Sequence, residues 1–221
     1  MSCLIVFDLD GTLVDSARDI ADTANAVLAS YGAPPLADDA IVPMIGDGAR
    51  VLVERALDAS GLDPHEPDAL SRFRVFYAER LVAHTRPYDG IVDVVHMASS
   101  IAALAVLTNK PGDPTRKLLD AFALSPRFRW VIGGDEGHAR KPDPAGLRRL
   151  IELAGVSPSR TLFIGDSIVD VETARRAGTA LCLASYGFGQ ARGPVELNAN
   201  ELRVDAPIEL TEIIAEFVGR A

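Results

Sequence analysis

The sequence predicts an α/β fold, in which a parallel β-sheet is covered by helices on both faces and carries an inserted block of helices. After residue 86, short apolar runs alternate with segments of helical periodicity, which is typical of parallel sheets. Between residues 16 and 86 the apolar side chains recur at helical spacing, and no convincing strand occurs. We therefore expect residues 1–15 and 87–221 to form the core and residues 16–86 to form the insertion.

The first part of the chain predicts one strand followed by three helices. An apolar run predicts the strand at residues 3–7. Ser16 and Asp19 resemble a capping box, apolar residues follow at helical spacing, and Gly32 is a stop signal. The same spacing predicts a second helix over residues 47–60 and a third helix with one face formed by Leu70, Phe73, Tyr77 and Leu81.

The rest of the chain predicts alternating strands and helices after a turn at residues 86–90. The strands are expected at residues 101–107, 129–132, 161–165 and 179–183, with a short edge strand within residues 203–207. Four helices are expected in this part of the chain. The first begins near Asp113, and the second spans residues 143–155. The third runs from the end of the strand at residues 161–165 to Ala177, and the fourth spans residues 208–218. Residues 190–202 fit neither pattern.

The composition is that of a globular protein with an acidic surface. The chain has 221 residues, of which 48% are hydrophobic and 24% charged, and its formal net charge is −9. That charge disfavours nucleic acid and anionic membranes as partners, and a small anionic substrate requires a local positive pocket. No apolar run reaches membrane-spanning length and no basic segment precedes the first apolar run, so we expect a cytoplasmic protein. Cys3 and Cys182 lie in apolar runs and are expected to be buried thiols.

Four aspartates follow two of the predicted strands. Asp8 and Asp10 come directly after the first strand, Asp166 follows the strand at residues 161–165, and Asp170 comes four residues later. Ligands of open parallel sheets bind beyond the carboxyl ends of the strands, so these carboxylates are expected to converge if the two strands are neighbours. Each aspartate taken alone could instead be a helix cap or a solvated acid.

A half-buried cluster of carboxylates needs a counter-charge. Two unit charges about 4 Å apart repel by ~1 kcal/mol in water and by ~4 kcal/mol at an effective dielectric constant near 20. Oxygen ligands with no histidine or cysteine nearby in the sequence favour Mg²⁺ over zinc. The sequence therefore predicts a magnesium site at this edge of the sheet.

Other strand ends carry residues suited to a phosphate. Thr108 and Asn109 follow the apolar run at residues 101–107, where a hydroxyl and exposed backbone N–H groups could cradle an anion. Lys141 precedes the helix at residues 143–155, and a lysine near four acids both balances charge and holds an anion, a plain surface lysine being the alternative. With these groups, one aspartate can attack phosphorus while the other exchanges protons with the leaving oxygen and then with water.

Four motifs occur in order along the chain. They are "DLDGT" at residues 8–12, "LTN" at residues 107–109, Lys141 within "RKPDP", and "GDSIVD" at residues 165–170. Together they resemble the motifs of the haloacid dehalogenase superfamily and extend over the whole core. The resemblance implies a Rossmann-like core with a small all-helical cap domain inserted after the first motif, which agrees with the helical block described above.

The resemblance also implies a role for each motif residue. Asp8 would be the nucleophile that forms an aspartyl-phosphate, and Asp10 would be the general acid and base. The Mg²⁺ ion would be bound by Asp8, the backbone carbonyl of Asp10, and Asp166, with Asp170 supporting the site. The phosphate would be held by Thr108, Asn109 and Lys141.

A finer resemblance is to the phosphoglycolate phosphatases. It rests on residues 44–57 and on the sequences "LTNKPG", "VIGGDE" and "LFIGDS". The usual cap pattern has asparagine at the position of Asp47. Gly46 and Arg50 in this segment are expected to face the substrate. Arg50 and Lys110 are candidates for binding a substrate carboxylate, with a solvated side chain as the alternative for each.

The expected function is hydrolysis of a small phosphorylated metabolite, with 2-phosphoglycolate as the first candidate. A dehalogenase or a phosphonate hydrolase is disfavoured, because those relatives lack the second aspartate, here Asp10. Enzymes acting on pyrophosphate or sugar phosphates, including mutases, share all four motifs and stay open as alternatives. A non-catalytic binding protein would have lost the nucleophile or a metal ligand, and none is lost. A monomer and a homodimer are both compatible with the sequence.

Overall fold

The computed structural model describes residues 3–220, and within them six parallel strands form one sheet. In chain order the strands are β1 (Leu4–Phe7), β2 (Val14–Asp15), β3 (Arg86–Pro87), β4 (Ala103–Leu107), β5 (Trp130–Ile132), β6 (Thr161–Gly165), β7 (Ala180–Ala184) and β8 (Leu202–Val204). The sheet has the order β5-β4-β1-β6-β7-β8, so β1 lies between β4 and β6. The predicted α/β fold with a parallel sheet is confirmed.

Helices cover both faces of this sheet. They are α1 (Ala17–Ser30), α2 (Asp38–Ile41), α3 (Ala49–Ala59), α4 (Ala69–Arg80), α5 (Ile91–Ile101), α6 (Gly112–Ala121), α7 (Ala145–Ala154), α8 (Ile168–Ala177) and α9 (Leu210–Gly219). Ile5 and Phe7 pack with α5 and α9, whereas Leu4 and Val6 pack with α7 and α8. This burial on both faces explains why β1 is an uninterrupted apolar run. None of the helices within residues 3–220 is long and apolar enough to cross a bilayer.

Helices α1 to α4 lie between β2 and β3, which pair with each other and not with the main sheet. Val14 is opposite Pro87 and Asp15 is opposite Arg86 in this antiparallel pair, so the chain leaves and re-enters the core at adjacent points. Of the apolar face predicted for the third inserted helix, Phe73, Tyr77 and Leu81 are buried and Leu70 is half-buried. The assignment of residues 16–86 as a separate cap domain stays a prediction.

The beginning of α1 differs from the sequence prediction. The capping box expected at Ser16 and Asp19 is wrong, because the Ser16 hydroxyl donates to Asp10 Oδ1 at 2.6 Å. The carboxylate of Asp19 instead accepts hydrogen bonds from the N–H groups of His84 and Thr85 and from the Thr85 hydroxyl. Asp19 is fully buried, so these donors replace the water that its charge would otherwise need. The side chain therefore joins α1 to the end of the insertion.

Some boundaries also differ from the prediction. Helix α5 occupies a segment for which the sequence predicted no element, and β4 begins at Ala103 rather than at residue 101. Apolar residues continue across this junction, so only the extended backbone of Ala102 marks the end of the helix. A 3₁₀ turn at Phe188–Arg192 and the start of β8 account for part of the segment that the sequence left unassigned.

Candidate active site

Carboxylates from two neighbouring strands meet at the carboxyl end of the sheet. Phe7 of β1 is opposite Ile164 of β6, and the Asp8 N–H donates to the Ile164 carbonyl oxygen at 2.9 Å. This register places Asp8 beside Asp166, which follows β6. Asp8, Asp166 and Asp170 each offer an oxygen within 4.8 Å of the others, and all three are buried. The structure thus brings together three of the four aspartates singled out in the sequence.

The carboxylate of the fourth, Asp10, is turned toward other partners. It accepts hydrogen bonds from the Ser16 hydroxyl at 2.6 Å and from Lys110 Nζ at 2.8 Å and 3.0 Å. The Lys110 side chain is 5% exposed, and its ammonium also lies 4.6 Å from the centre of the Tyr77 ring. The sequence predicted Lys110 as a candidate for binding a substrate carboxylate, but in the structure Lys110 already has a carboxylate partner in Asp10.

Lys141 is the cation that contacts the carboxylate cluster. Its Nζ donates to Asp170 Oδ1 at 2.6 Å and lies 2.8 Å from Asp8 Oδ1 as an ion pair without hydrogen-bond alignment. The other oxygen of Asp170 accepts hydrogen bonds from the N–H and the hydroxyl of Ser167, at the beginning of α8. Asp170 is thereby fixed between a helix start and Lys141.

The electrostatics of this cluster favour a further cation. Burial raises the pKa of Asp8 from 3.8 to about 7, against the lowering effect of Lys141 and with a further increase from Asp170. Burial, together with the charges of Asp170 and Asp8, also raises the pKa of Asp166 well above 3.8. The cluster thus has three carboxylates and one ammonium, which contacts Asp8 and Asp170. An all-oxygen donor set with excess negative charge suits a hard divalent cation.

Glycines leave the space that Asp166 occupies. A Cβ atom on Gly11, which has φ +85°, would overlap the Asp166 carboxylate, and one on Gly187 or Gly189 would lie against the same side chain. The Gly189 N–H donates to Asp166 Oδ2 at 2.7 Å. This backbone contact orients the carboxylate of Asp166. The residues present thus fit a metal site in both donor type and shape.

The candidate phosphate residues lie beside this cluster at the end of β4. Thr108 and Asn109 are both buried, and the Thr108 N–H donates to Ile132 of β5. The Asn109 side-chain amide donates to the carbonyl oxygens of Gly46 at 2.9 Å and Lys141 at 3.0 Å. Both amide protons are therefore used, so Asn109 has its backbone N–H rather than its side chain for a phosphate.

A cavity of about 340 Å³ opens onto these groups, and Asp8, Thr108, Asn109, Lys141 and Asp166 line its inner end. The inserted helices supply an opposite wall that is mainly apolar and includes Ile20, Ile45, Leu52, Phe73, Tyr77 and Leu81. Gly46, which the sequence assigned to the substrate side, also lines the cavity.

The cavity lining contains two basic side chains that the sequence did not single out, Arg74 of α4 and Lys117 of α6. The lining lysines each have a carboxylate partner, as Lys117 has in Asp113 at 2.9 Å, whereas Arg74 has none within residues 3–220. Arg50, the sequence-based candidate, does not line the cavity; its side chain is 63% exposed and lies 3.9 Å from Glu54. The position of Arg74 between Phe73 and Tyr77 of the predicted apolar face is the signal that could have identified it.

A family model and several known proteins match most of the chain. The model of the haloacid dehalogenase-like hydrolase family matches residues 5–184. The chain is 41% identical over 208 residues to phosphoglycolate phosphatase 1 of Pseudomonas aeruginosa, which covers 91% of this chain and 76% of that protein. It is 40% identical over 210 residues to a phosphoglycolate phosphatase of Caulobacter vibrioides, with 93% of this chain and 88% of that protein covered.

A solved structure shows the same fold. The crystal structure of a predicted phosphoglycolate phosphatase from Haemophilus somnus matches with a TM-score of 0.87 and 30% sequence identity, covering 96% of this chain and 97% of that chain. The matched family region contains all four motifs and the carboxylate cluster. The chain therefore belongs to the haloacid dehalogenase-like hydrolases, as a phosphatase related to the phosphoglycolate phosphatases.

Proposed function

We propose that this protein is a Mg²⁺-dependent phosphomonoester hydrolase that converts 2-phosphoglycolate to glycolate and phosphate. The observation that carries the proposal is the cluster of Asp8, Asp166 and Asp170, two of which form ion pairs with Lys141, at the inner end of the cavity. Its excess negative charge calls for a divalent cation, and a bound cation would in turn attract a phosphate.

Asp8 is the proposed nucleophile. Its carboxylate attacks phosphorus, the ester bond breaks, and the phosphoryl group is carried on Asp8 until water releases it as inorganic phosphate. Asp8, the Asp10 carbonyl and Asp166 would hold Mg²⁺, which would offset the charge of carboxylate and phosphate. Lys141, the Thr108 hydroxyl and the Asn109 backbone N–H hold the phosphate oxygens, and Asp170 holds Lys141 in place.

Asp10 is the proposed general acid and base. It gives a proton to the departing alkoxide oxygen and takes one from the water that attacks the aspartyl-phosphate, so that it returns to its initial state. Ser16 and Lys110 hold its carboxyl group beside the cavity. An alcohol such as glycolate is a poor leaving group, which is why the reaction needs a second carboxyl group.

The choice of a small carboxylated substrate rests on the wall opposite the cluster. That wall is mainly apolar and has few groups for the hydroxyls of a sugar, whereas Arg74 is a basic side chain without an ion-pair partner within residues 3–220. The relatives named phosphoglycolate phosphatase support the same substrate. Pyrophosphate, whose second phosphate could also meet Arg74, is the principal alternative.

The test is phosphate release measured with and without Mg²⁺ for 2-phosphoglycolate, pyrophosphate, a sugar phosphate and p-nitrophenyl phosphate. The proposal expects metal-dependent turnover with the highest kcat/KM for 2-phosphoglycolate. A higher kcat/KM for a substrate without a carboxylate would refute the substrate assignment. No release from any ester with Mg²⁺ present would indicate a binding protein and refute the enzyme.

A further inference from the structure

The loop before α3 forms one wall of the cavity and has an unusual backbone. Ile45, Gly46 and Gly48 of this loop line the cavity. Gly46 has φ +121° and Gly48 has φ +91°, which are conformations that other residues rarely adopt. Residues 43–48 are called here the wall loop.

Arg192, which lies far from the wall loop in sequence, holds this loop from the core side. Its guanidinium forms an ion pair and hydrogen bonds with both carboxylate oxygens of Asp47, and its Nε donates to the Pro43 carbonyl oxygen at 3.1 Å. The side chains of Arg192 and Asp47 are 16% and 23% exposed. A bidentate arginine–carboxylate pair with this little exposure is stronger and more specific than a surface ion pair.

The same turn of the core also contacts the candidate metal site. Arg192 ends the 3₁₀ turn Phe188–Arg192. Within this turn, the Gly189 N–H donates to Asp166 Oδ2 at 2.7 Å, and the Gln190 side chain donates to the Asp166 carbonyl oxygen at 3.0 Å. The turn thus has one end on the carboxylate cluster and the other on the wall loop.

The wall loop in turn contacts the candidate phosphate site. The carbonyl oxygen of Gly46 accepts a hydrogen bond from the Asn109 amide, whose other proton goes to the Lys141 carbonyl oxygen. The Asn109 side chain is therefore fixed between the wall loop and Lys141. A displacement of the loop would release one of these bonds and loosen the backbone N–H groups at the end of β4.

We propose that Arg192 is a positioning residue, which holds the wall loop on the core so that Gly46 fixes Asn109 in its phosphate-binding position. The inference rests on the proposed function, since it assigns Arg192 an effect on the phosphate site described there. Arg192 acts through Asp47, Pro43 and Gly46 and does not itself line the cavity.

The experiment compares Arg192→Met with Arg55→Met as a matched control. Arg55 Nη1 donates to the same Asp47 carboxylate at 2.6 Å and to the Met44 carbonyl oxygen at 3.2 Å, but Arg55 belongs to α3 and stays within the insertion. In either variant Asp47 keeps one arginine, so neither leaves a buried charge unpaired. The readouts are kcat, KM, the inhibition constant of inorganic phosphate with Mg²⁺ present, and amide hydrogen exchange of residues 43–48.

In Arg192→Met we expect KM and the phosphate inhibition constant to rise together by about tenfold, with kcat changed by less than about threefold, because ground-state binding is lost. Exchange of residues 43–48 should become faster, and Arg192→Lys should restore part of the phosphate affinity. Arg55→Met should change the phosphate inhibition constant by less than about twofold. An unchanged constant in Arg192→Met, or an equal rise in Arg55→Met, would overturn the proposal.

Two more variants keep the result interpretable. If Arg192→Met does not fold, Asp47→Asn removes the charge from the other partner at constant size, and the phosphate inhibition constant should rise in the same direction; no rise would overturn the proposal. Asn109→Ala keeps the backbone N–H but removes the side chain that joins the wall loop to Lys141. No change of the phosphate inhibition constant in Asn109→Ala would contradict the positioning role, whereas a rise there without one in Arg192→Met would contradict only the part assigned to Arg192.

Discussion

Lys141 Nζ lies 2.8 Å from a carboxylate oxygen of Asp8, and the two side chains are 3% and 11% exposed. The same ammonium also meets Asp170 at 2.6 Å. One positive charge thus serves more than one buried carboxylate, with Asp166 beside them. This imbalance has consequences for catalysis, for metal binding and for stability, each of which can be measured.

Replacing Asp8 with asparagine removes the proposed nucleophile at nearly constant size. We expect Asp8→Asn to lower kcat by at least about a thousandfold while the protein remains folded, because an amide oxygen does not form the aspartyl-phosphate. The measurement is phosphate release from 2-phosphoglycolate, with circular dichroism to check the fold. Asp15→Asn, at an exposed aspartate of β2, is the control and should retain activity. Comparable loss of activity in both variants would remove the support for Asp8.

Mg²⁺ is expected to stabilise the folded protein, because the proposed metal site is a carboxylate cluster that exists only in the fold. The thermal midpoint should rise with Mg²⁺ concentration according to the linkage of binding and unfolding. Asp166→Asn should raise the midpoint of the metal-free protein by roughly 2–4 °C for each kcal/mol of repulsion removed, and should abolish the increase with Mg²⁺. Calorimetry with EDTA measures the thermal midpoint of the metal-free protein, and calorimetry with Mg²⁺ measures the increase. An unchanged Mg²⁺ response in Asp166→Asn would exclude it as a metal ligand.

The metal-free protein should lose stability as the pH rises toward neutrality. The pKa of Asp8 is raised from 3.8 to about 7 in the folded protein, and that of Asp166 is raised as well. Between these values the folded state binds more protons than the unfolded chain, so the free energy of unfolding falls with increasing pH and recovers on acidification. Urea unfolding in EDTA at about pH 5 and about pH 8 measures the difference. We expect Mg²⁺ to reduce this difference in the free energy of unfolding. A metal-free protein that is more stable at the higher pH would contradict the expected effect of the two carboxylates.

Arg74 is expected to distinguish substrates by their carboxylate. Arg74→Gln should lower kcat/KM for 2-phosphoglycolate by roughly tenfold or more, because a charge-assisted contact is lost, and should leave p-nitrophenyl phosphate almost unchanged. Arg50→Gln is the matched control, since Arg50 lies outside the cavity lining. Equal losses for both substrates in Arg74→Gln would exclude a carboxylate contact. A selective loss in Arg50→Gln instead would favour the residue that the sequence indicated.

The strands of the core could be predicted because each is buried on both faces and is therefore apolar throughout. The position of α5 could not, since its apolar residues continue into β4 and no glycine or proline separates the two elements. The partners of Asp19 could not be predicted either. Local spacing suggested a cap for it, whereas its partners are the backbone and hydroxyl groups of His84 and Thr85, far away in the sequence.

The carboxylate cluster could be located from the sequence because parallel strands end at one edge of the sheet. The contacts of Lys110, Arg74 and Arg192 could not, because each depends on where the inserted helices and loop lie against the core. Arg50 shows the opposite error. The motif predicted that it lies near the substrate, but its side chain on α3 is exposed and does not line the cavity.

The most direct measurement is to quench the enzyme with acid during turnover of 2-phosphoglycolate with Mg²⁺ and to map the phosphorylated peptide by mass spectrometry. We predict one phosphoryl group on Asp8, absent from Asp8→Asn. A phosphoryl group on any other residue, or undiminished turnover by Asp8→Asn, would contradict this prediction.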